Sequence, residues 1–228
     1  MSNKDKNPVS KKTIASTVEE KIKADIINGK LMPNQKLRIK GLAERYDTGS
    51  IPLREALSRL TALGFIELID HQGFSVRSIT LEEIADITMV RCNIESQALE
   101  NSIKNADLEW ESRLLAIHHT LSNLHLIDPE SDQLSEKWEK THQDFHEALL
   151  SNCDSHWLNQ LSSILRDQTS RYRFLSTHCK GSGNRDVPAE HARIIEAAIA
   201  RDIDKAKTAL CKHYENTAKI IAKQMIDL

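Results

Sequence analysis

The sequence predicts a mainly α-helical chain of two domains, and three features carry that reading. Apolar residues recur at helical spacing through most of the chain, and a single Gly-centred pair of alternating segments stands near residue 70. Gly and Pro are scarce, at 7 and 5 of 228 residues, so long irregular stretches are not expected. Aromatics make up only 4%, and Leu, Ile and Ala supply most of the apolar content, which favours helix over sheet. The length suits two domains and allows a core without a disulfide or metal staple.

Residues 1–12 are polar and Lys-rich, lack the apolar stretch of a secretory signal, and read as a disordered arm. From Thr13 to Asn28 the residues Ile14, Val18, Ile22 and Ile26 form a helical stripe that Gly29 ends. Lys40–Tyr46 reads as a short second helix. Pro52 then opens a third, running to about Leu63, where its missing N–H costs nothing, and Gly64 stops it. Ile66 and Leu68, then Phe74, Val76 and Ile79, alternate around the turn Asp70-His71-Gln72-Gly73, which predicts a β-hairpin. These elements make a first domain over 13–79. Thr80-Leu81-Glu82-Glu83 is a capping box that starts a new helix, running at least to Ala98, and marks the boundary. Helical patterns follow over roughly 107–126, 131–151, 155–177, 187–200 and 202–226, with no strand-like alternation and no repeat. The second domain, 80–228, should therefore be an all-α bundle of six to seven helices.

Charge divides at the same boundary. Residues 1–79 carry 14 Lys/Arg against 9 Asp/Glu, a balance of +5, and the remainder carries −7. A basic front on an acidic body fits a front that meets a polyanion. No run of about 18 apolar residues exists, so no membrane partner is expected. Cys92, Cys153, Cys179 and Cys211 show no CxxC spacing and read as reduced thiols of a cytoplasmic protein.

Helix, short helix, helix, hairpin is the order of a winged helix-turn-helix, in which the third helix enters the major groove and the hairpin tip touches the backbone or minor groove. In Pro52-Leu53-Arg54-Glu55-Ala56-Leu57-Ser58-Arg59-Leu60 the apolar stripe is Leu53, Ala56, Leu57 and Leu60, and Arg54 and Arg59 fall outside it and are both candidate DNA-binding residues. Arg54 lies in the first turn, where such helices meet base edges or phosphate. Together with Gly41-Leu42-Ala43-Glu44-Arg45-Tyr46, Gly64-Phe65-Ile66 and Gln72-Gly73-Phe74-Ser75-Val76, this stretch resembles the GntR family of bacterial regulators. The resemblance implies double-stranded operator DNA as a partner, with Arg54 and Lys40 as contacting cations and Gln72 and Gly73 as the wing tip. It also implies a homodimer on a two-fold operator. Where the family usually has Arg two residues before the helix-opening Pro, this chain has Ser50, so one contact is missing or replaced.

Residues 80–225 resemble the FCD domain of the FadR-type branch of that family. The matching features are Arg91 and Glu95, Phe145-His146, Glu190-His191 and Leu210-Cys211-Lys212-His213. His142 and His146 share one helix face at i,i+4, a spacing at which two imidazoles can hold one metal ion. A bundle can bring His191 and His213 to the same point. The resemblance implies a divalent-metal site formed by His142, His146, His191 and His213 at the floor of an effector pocket. The family's usual first ligand is Asp, and His142 stands in its place, which favours zinc, nickel or copper over harder ions. Asp144 sits two residues away and should point elsewhere. Arg91 is the candidate for clamping a carboxylate through two parallel hydrogen bonds, and one of Arg171 and Arg173 should also reach the pocket. Metal plus arginine suggests a small carboxylic acid as effector. In sum, the expected protein is a DNA-binding repressor controlled by such an acid.

The alternative is a metal-dependent helical-bundle enzyme acting on a small acid. His142-Gln143-Asp144-Phe145-His146 has the His spacing of HExxH but Gln at the position of the catalytic Glu. Glu139 to His142 is a single ExxH, where di-iron bundles need two. No phosphate-binding Gly-rich loop and no GxSxG occurs.

Overall fold

A computed structural model of the chain describes residues 12–131, 134–177 and 185–226. The arm expected over 1–12 falls outside them except for Lys12, as do Cys179 and most of the loop expected from Cys179 to Asp186. The chain divides into two compact units. One holds Lys30–Arg77 with the helix before it, and the other holds the chain from Ser78 onward together with Ile27–Gly29.

The first unit contains α1 (Ile14–Ile27), β1 (Lys36–Leu37), α2 (Ile39–Arg45), α3 (Ser50–Ala62), β2 (Ile66–Ile69) and β3 (Gly73–Val76). Its core takes Val18, Ile22 and Ile26 from α1, with Ala15 rather than the exposed Ile14 completing the stripe. Leu53, Ala56, Leu57 and Leu60 of α3 are fully buried, as is Phe65. Helix α3 begins at Ser50, two residues before the expected start. Pro52 lies within the first turn, whose N–H groups have no intrahelical acceptor, so it is tolerated there as well as at the first position. Gly64 ends the helix at φ 76°. The hairpin pairs Ile66 with Val76 and Ile69 with Gly73 in antiparallel register. Its turn needs positive φ at His71 and at Gly73, where φ is 84°. An unexpected third strand, β1, pairs with β3 through Lys36↔Ser75 and Leu37↔Phe74, giving the order β1-β3-β2. Two residues are too few to show a period of two.

Among its described residues the second unit has, besides one bridge, only helices: α4 (Leu81–Lys104), α5 (Leu108–Ser122), α6 (Glu136–Leu150), α7 (His156–Thr177), α8 (Val187–Ile199) and α9 (Ile203–Ile226). The capping box is formed at its first half, Thr80 Oγ1 accepting from Glu83 N at 3.1 Å. Asp107, Ser135 and Asp186 cap α5, α6 and α8 in the same way. Helix α6 starts at Glu136 rather than 131, because Ser135 is its cap and Ile127 pairs with Leu134 in an isolated antiparallel bridge just before it. Helix α4 packs on α7 and α9, α9 also on α8, and α5 on α6 and α8. Their shared core includes Leu99, Trp110, Leu114, Phe145, Leu149, Ile194 and Leu210. Trp110 is fully buried and donates its indole N–H to the Ala148 carbonyl at 2.8 Å. Among the described residues no helix is long and apolar enough to cross a membrane.

Trp110→Ala removes a fully buried core side chain and one of the hydrogen bonds to the Ala148 carbonyl, so it should lower stability by about 3–5 kcal/mol. Leu108→Ala, at a position 80% exposed, should change it by less than about 0.5 kcal/mol. Denaturant unfolding followed by circular dichroism measures both.

Candidate functional site

In the first unit a cleft of about 490 Å³ opens between the first turn of α3, the β1–α2 junction and the wing tip. Lys36, Arg38, Arg54, His71, Gln72 and Gly73 line it. Arg54 is exposed and among the described residues has no carboxylate partner, because the adjacent Glu55 is taken by Arg59 at 2.5 Å. Lys40 and Ser50 are exposed in the first turns of α2 and α3, outside the cleft lining. Arg59 is placed differently from Arg54. It faces α1, reaching Glu19 at 3.4 Å and Ser16 Oγ at 3.1 Å, and so does not join the cleft. Sequence reasoning missed Lys36, Arg38 and His71. The signal for the first two was the alternation Lys36, Arg38, Lys40, which places cations on one side of an extended segment.

In the second unit His142 and His146 of α6, His191 of α8 and His213 of α9 converge, their ligand atoms all within 4.8 Å of one another. All four are at least 96% buried. The Nε2 atoms of His142 and His146 are 3.2 Å apart, near the roughly 3.3 Å edge of a tetrahedron with metal–nitrogen bonds of about 2.0–2.1 Å. Burial, reinforced by Arg173 and the other imidazoles, holds His142 well below the usual histidine range, and burial does the same to His146 and His191. Burial also brings His213 down to about 4, against the pull of Glu190. All four are thus neutral at pH 7, the form that ligates metal.

The surrounding groups choose the tautomers. Glu190 accepts from His213 Nδ1 at 2.7 Å. Burial alone would raise the Glu190 carboxyl, but hydrogen bonds from His213, Arg185 and Asn216 hold it far below the usual range. As an ionised carboxylate it can only accept, so the proton sits on Nδ1 and the Nε2 lone pair of His213 is bare. Tyr214 donates its hydroxyl proton to Glu95, so its oxygen accepts from His146 Nδ1 at 3.2 Å and bares Nε2 there too. Trp138 stacks on the His142 ring, centroids 4.6 Å apart and planes 13° from parallel. His191 Nε2 is buried with no hydrogen-bond partner. An orphaned imidazole nitrogen facing three others is costly without an electrophile to share, so the donor set fits a transition metal. Asp144 turns away, pairing with Lys140.

A cavity of about 30 Å³ adjoins the cluster, lined by Arg91, His142, His146, Thr169, Arg173 and Tyr214 among others. Arg91 reaches it already paired. Its Nε donates to Glu95 at 2.7 Å, one Nη donates to Thr169 Oγ1 at 2.9 Å, and its guanidinium lies 3.8 Å over the Tyr214 ring. Arg173 also reaches the cavity and pairs with Glu139. Arg171, two residues earlier on α7, points instead to the Ser78 carbonyl at 3.0 Å and to Gln168, and does not line it. Tyr214 and Trp138 were not singled out from sequence, and Glu139 and Glu190 were named only inside motifs, with no role assigned. Each is adjacent to or one helical turn from a candidate histidine, but which histidine it serves depends on how the helices pack.

The model of the gntR family of bacterial regulatory proteins matches residues 14–76, and the FCD domain model matches residues 86–216. The HTH-type transcriptional regulator BphR of Paraburkholderia xenovorans is 34% identical over 223 residues, covering 95% of this chain and 90% of that protein. The HTH-type transcriptional repressor GlaR of Escherichia coli is 35% identical over 207 residues, covering 90% and 94%. Among solved structures, Escherichia coli McbR superposes with a TM-score of 0.75 at 18% identity over 94% of this chain and 100% of that one. A GntR-family regulator of Pseudomonas syringae pv. tomato gives 0.54 at 22% identity over 92% and 85%. The two matched models lie on the two units just described, one on the cationic cleft and the other on the histidine cluster. The chain belongs to the GntR family of bacterial transcription regulators, in the group that carries a C-terminal FCD domain.

Proposed function

We propose that this DNA-binding regulator is a repressor whose operator binding is controlled by a small carboxylic acid held over a divalent transition metal in the helical unit. The observation that carries the reading is the set of four buried, neutral imidazoles beside a cavity that two arginines reach. His142, His146, His191 and His213 would hold the metal, and an all-nitrogen donor set favours zinc or nickel over magnesium or calcium. Bound there, the ion supplies a Lewis-acidic coordination position for a carboxylate oxygen.

Charge supports an anionic ligand. The arginines that reach the cavity or touch a histidine already have a carboxylate: Arg91 has Glu95, Arg173 has Glu139 and Arg185 has Glu190. The imidazoles are neutral, so a divalent ion brings two uncompensated positive charges into a buried site. Arg91 and Arg173 therefore contribute hydrogen-bond donors and orientation to an acid, and the metal contributes the charge. The cavity of about 30 Å³ has room for an ion or one to two waters, and a metabolite needs more. Acid binding must widen the space between α4, α6, α7 and α9, and that differential affinity for an opened arrangement is what can couple ligand to DNA.

On the DNA side, the reading assigns base or phosphate contacts to Arg54, Lys36, Arg38 and Lys40, with Gln72, Gly73 and His71 at the wing tip and Ser50 in place of the family's arginine. Arg59 is left to hold α3 against α1. A homodimer supplies the second recognition helix that a two-fold operator needs. The exposed stripe Trp157, Leu161 and Ile164 on α7, at 68%, 41% and 44%, is apolar surface suited to a second copy. The GlaR relative is named a repressor, which supports that sign.

Three experiments test this. On DNA selected by the wild-type protein from a random pool, Arg54→Ala should weaken binding by about 10- to 100-fold at fixed salt. An unchanged affinity and salt slope would remove Arg54 from the interface. Mass spectrometry of untagged protein should find about one transition metal per chain, lost in His142→Ala/His146→Ala; absence of metal after zinc or nickel is supplied would remove the ion from the mechanism. In a thermal-shift screen, small mono- and dicarboxylates should stabilise the metal-loaded protein and leave the double mutant unmoved. Stabilisation by neutral ligands alone would sink the acid assignment.

A further inference from the structure

We propose that Cys92 and Cys211 form an oxidisable thiol pair, a modification site that closes to an intramolecular disulfide between α4 and α9. The two residues are 119 positions apart in sequence and face each other across the seam between these helices. The sulfur of each lies 3.9 Å from the carbonyl oxygen of the other, so the two side chains cross in the seam. Ser96 Oγ, one turn on from Cys92, sits 3.3 Å from Cys211 Sγ and fixes that sulfur in the seam. Both thiols are half-buried and reachable from solvent, whereas Cys153 is 2% exposed with its sulfur turned to the Ser155 carbonyl at 3.6 Å. Structural cysteines are typically enclosed singly in apolar surroundings. Two partly exposed cysteines that cross in one helix seam, with a hydroxyl beside them, are an arrangement in which a first oxidation can be resolved by a neighbour.

The oxidant is a peroxide. One sulfur, as thiolate, attacks the peroxide oxygen; the O–O bond breaks, giving a sulfenic acid and hydroxide, and the hydroxide takes up the proton released by that thiol to become water. The second sulfur attacks the sulfenic sulfur, the S–O bond breaks, and hydroxide leaves as water with the remaining thiol proton. Two thiols and one hydrogen peroxide thus give one disulfide and two waters, and a dithiol reductant reverses the change. The bond would tie the helix that carries Arg91 and Glu95 to the helix that carries His213 and Tyr214, and both helices border the cavity beside the histidine cluster.

The test uses the full-length untagged protein, first reduced, then treated with a small molar excess of hydrogen peroxide and mapped by mass spectrometry without reduction. The expected result is loss of two hydrogens per chain, a cross-linked peptide pair containing Cys92 and Cys211, and recovery of both thiols with dithiothreitol. Cys92→Ser should lose the cross-link and leave a sulfenic acid at Cys211 that dimedone traps. The wild-type map decides the matter by itself, so it does not depend on how the variant folds. Recovery of Cys92 and Cys211 in unlinked peptides overturns the proposal, whether they are unreacted, separately over-oxidised, or joined to other cysteines or other chains.

Discussion

The helical unit depends on keeping four imidazoles neutral at its centre. Burial removes the water that would stabilise a proton on any of them, and each ring disfavours a charge on the next. A cluster so made has spare lone pairs and no solvent to satisfy them. The protein satisfies the Nδ1 atoms of two rings itself, through Glu190 on His213 and through Tyr214 and Glu95 on His146. Those contacts leave the Nε2 lone pairs of His146 and His213 for the interior of the cluster, a donor set that could hold a metal ion.

Charged groups ring this neutral centre, and the three arginines that reach the cavity or a histidine come paired. Arg91, Arg173 and Arg185 each meet a carboxylate before they meet the histidines. Leaving any of those charges unpaired at such depth would be strongly destabilising, so the pairs come as units. The result is a site that is electrically balanced without metal and positive with it. That polarity is the physical basis for an acidic effector in the reading proposed above.

The DNA-facing unit works by the opposite economy. Its cleft keeps Lys36, Arg38 and Arg54 exposed and without carboxylate partners among the described residues, while nearby Arg45 and Arg59 are engaged by Asp25, Glu19 and Glu55. Cations held open and cations held closed differ by only a few residues in the chain. A short third strand sets the difference at β1, because pairing with β3 brings Lys36 and Arg38 beside the wing.

By itself the sequence determined everything with a local cause. Helical stripes, the cap at Thr80, the helix start signalled by Pro52, the Gly-centred hairpin and the i,i+4 pair His142–His146 are short-range patterns, and the elements formed within a few residues of where those patterns put them. The family pattern supplied His191 and His213 as well. Only the tertiary structure decided the partners. Glu190 precedes His191 in the chain yet serves His213, and Tyr214 follows His213 yet serves His146, because neighbours on a helix point about 100° apart and meet whatever the adjoining helix presents. The same geometry sent Arg173 to the cavity and Arg171 away from it, and turned Arg59 toward α1 while leaving Arg54 open. Spacing along one helix fixes which residues share a face. Which face meets which neighbour is settled by how the helices pack, and that depends on contacts between residues far apart in sequence.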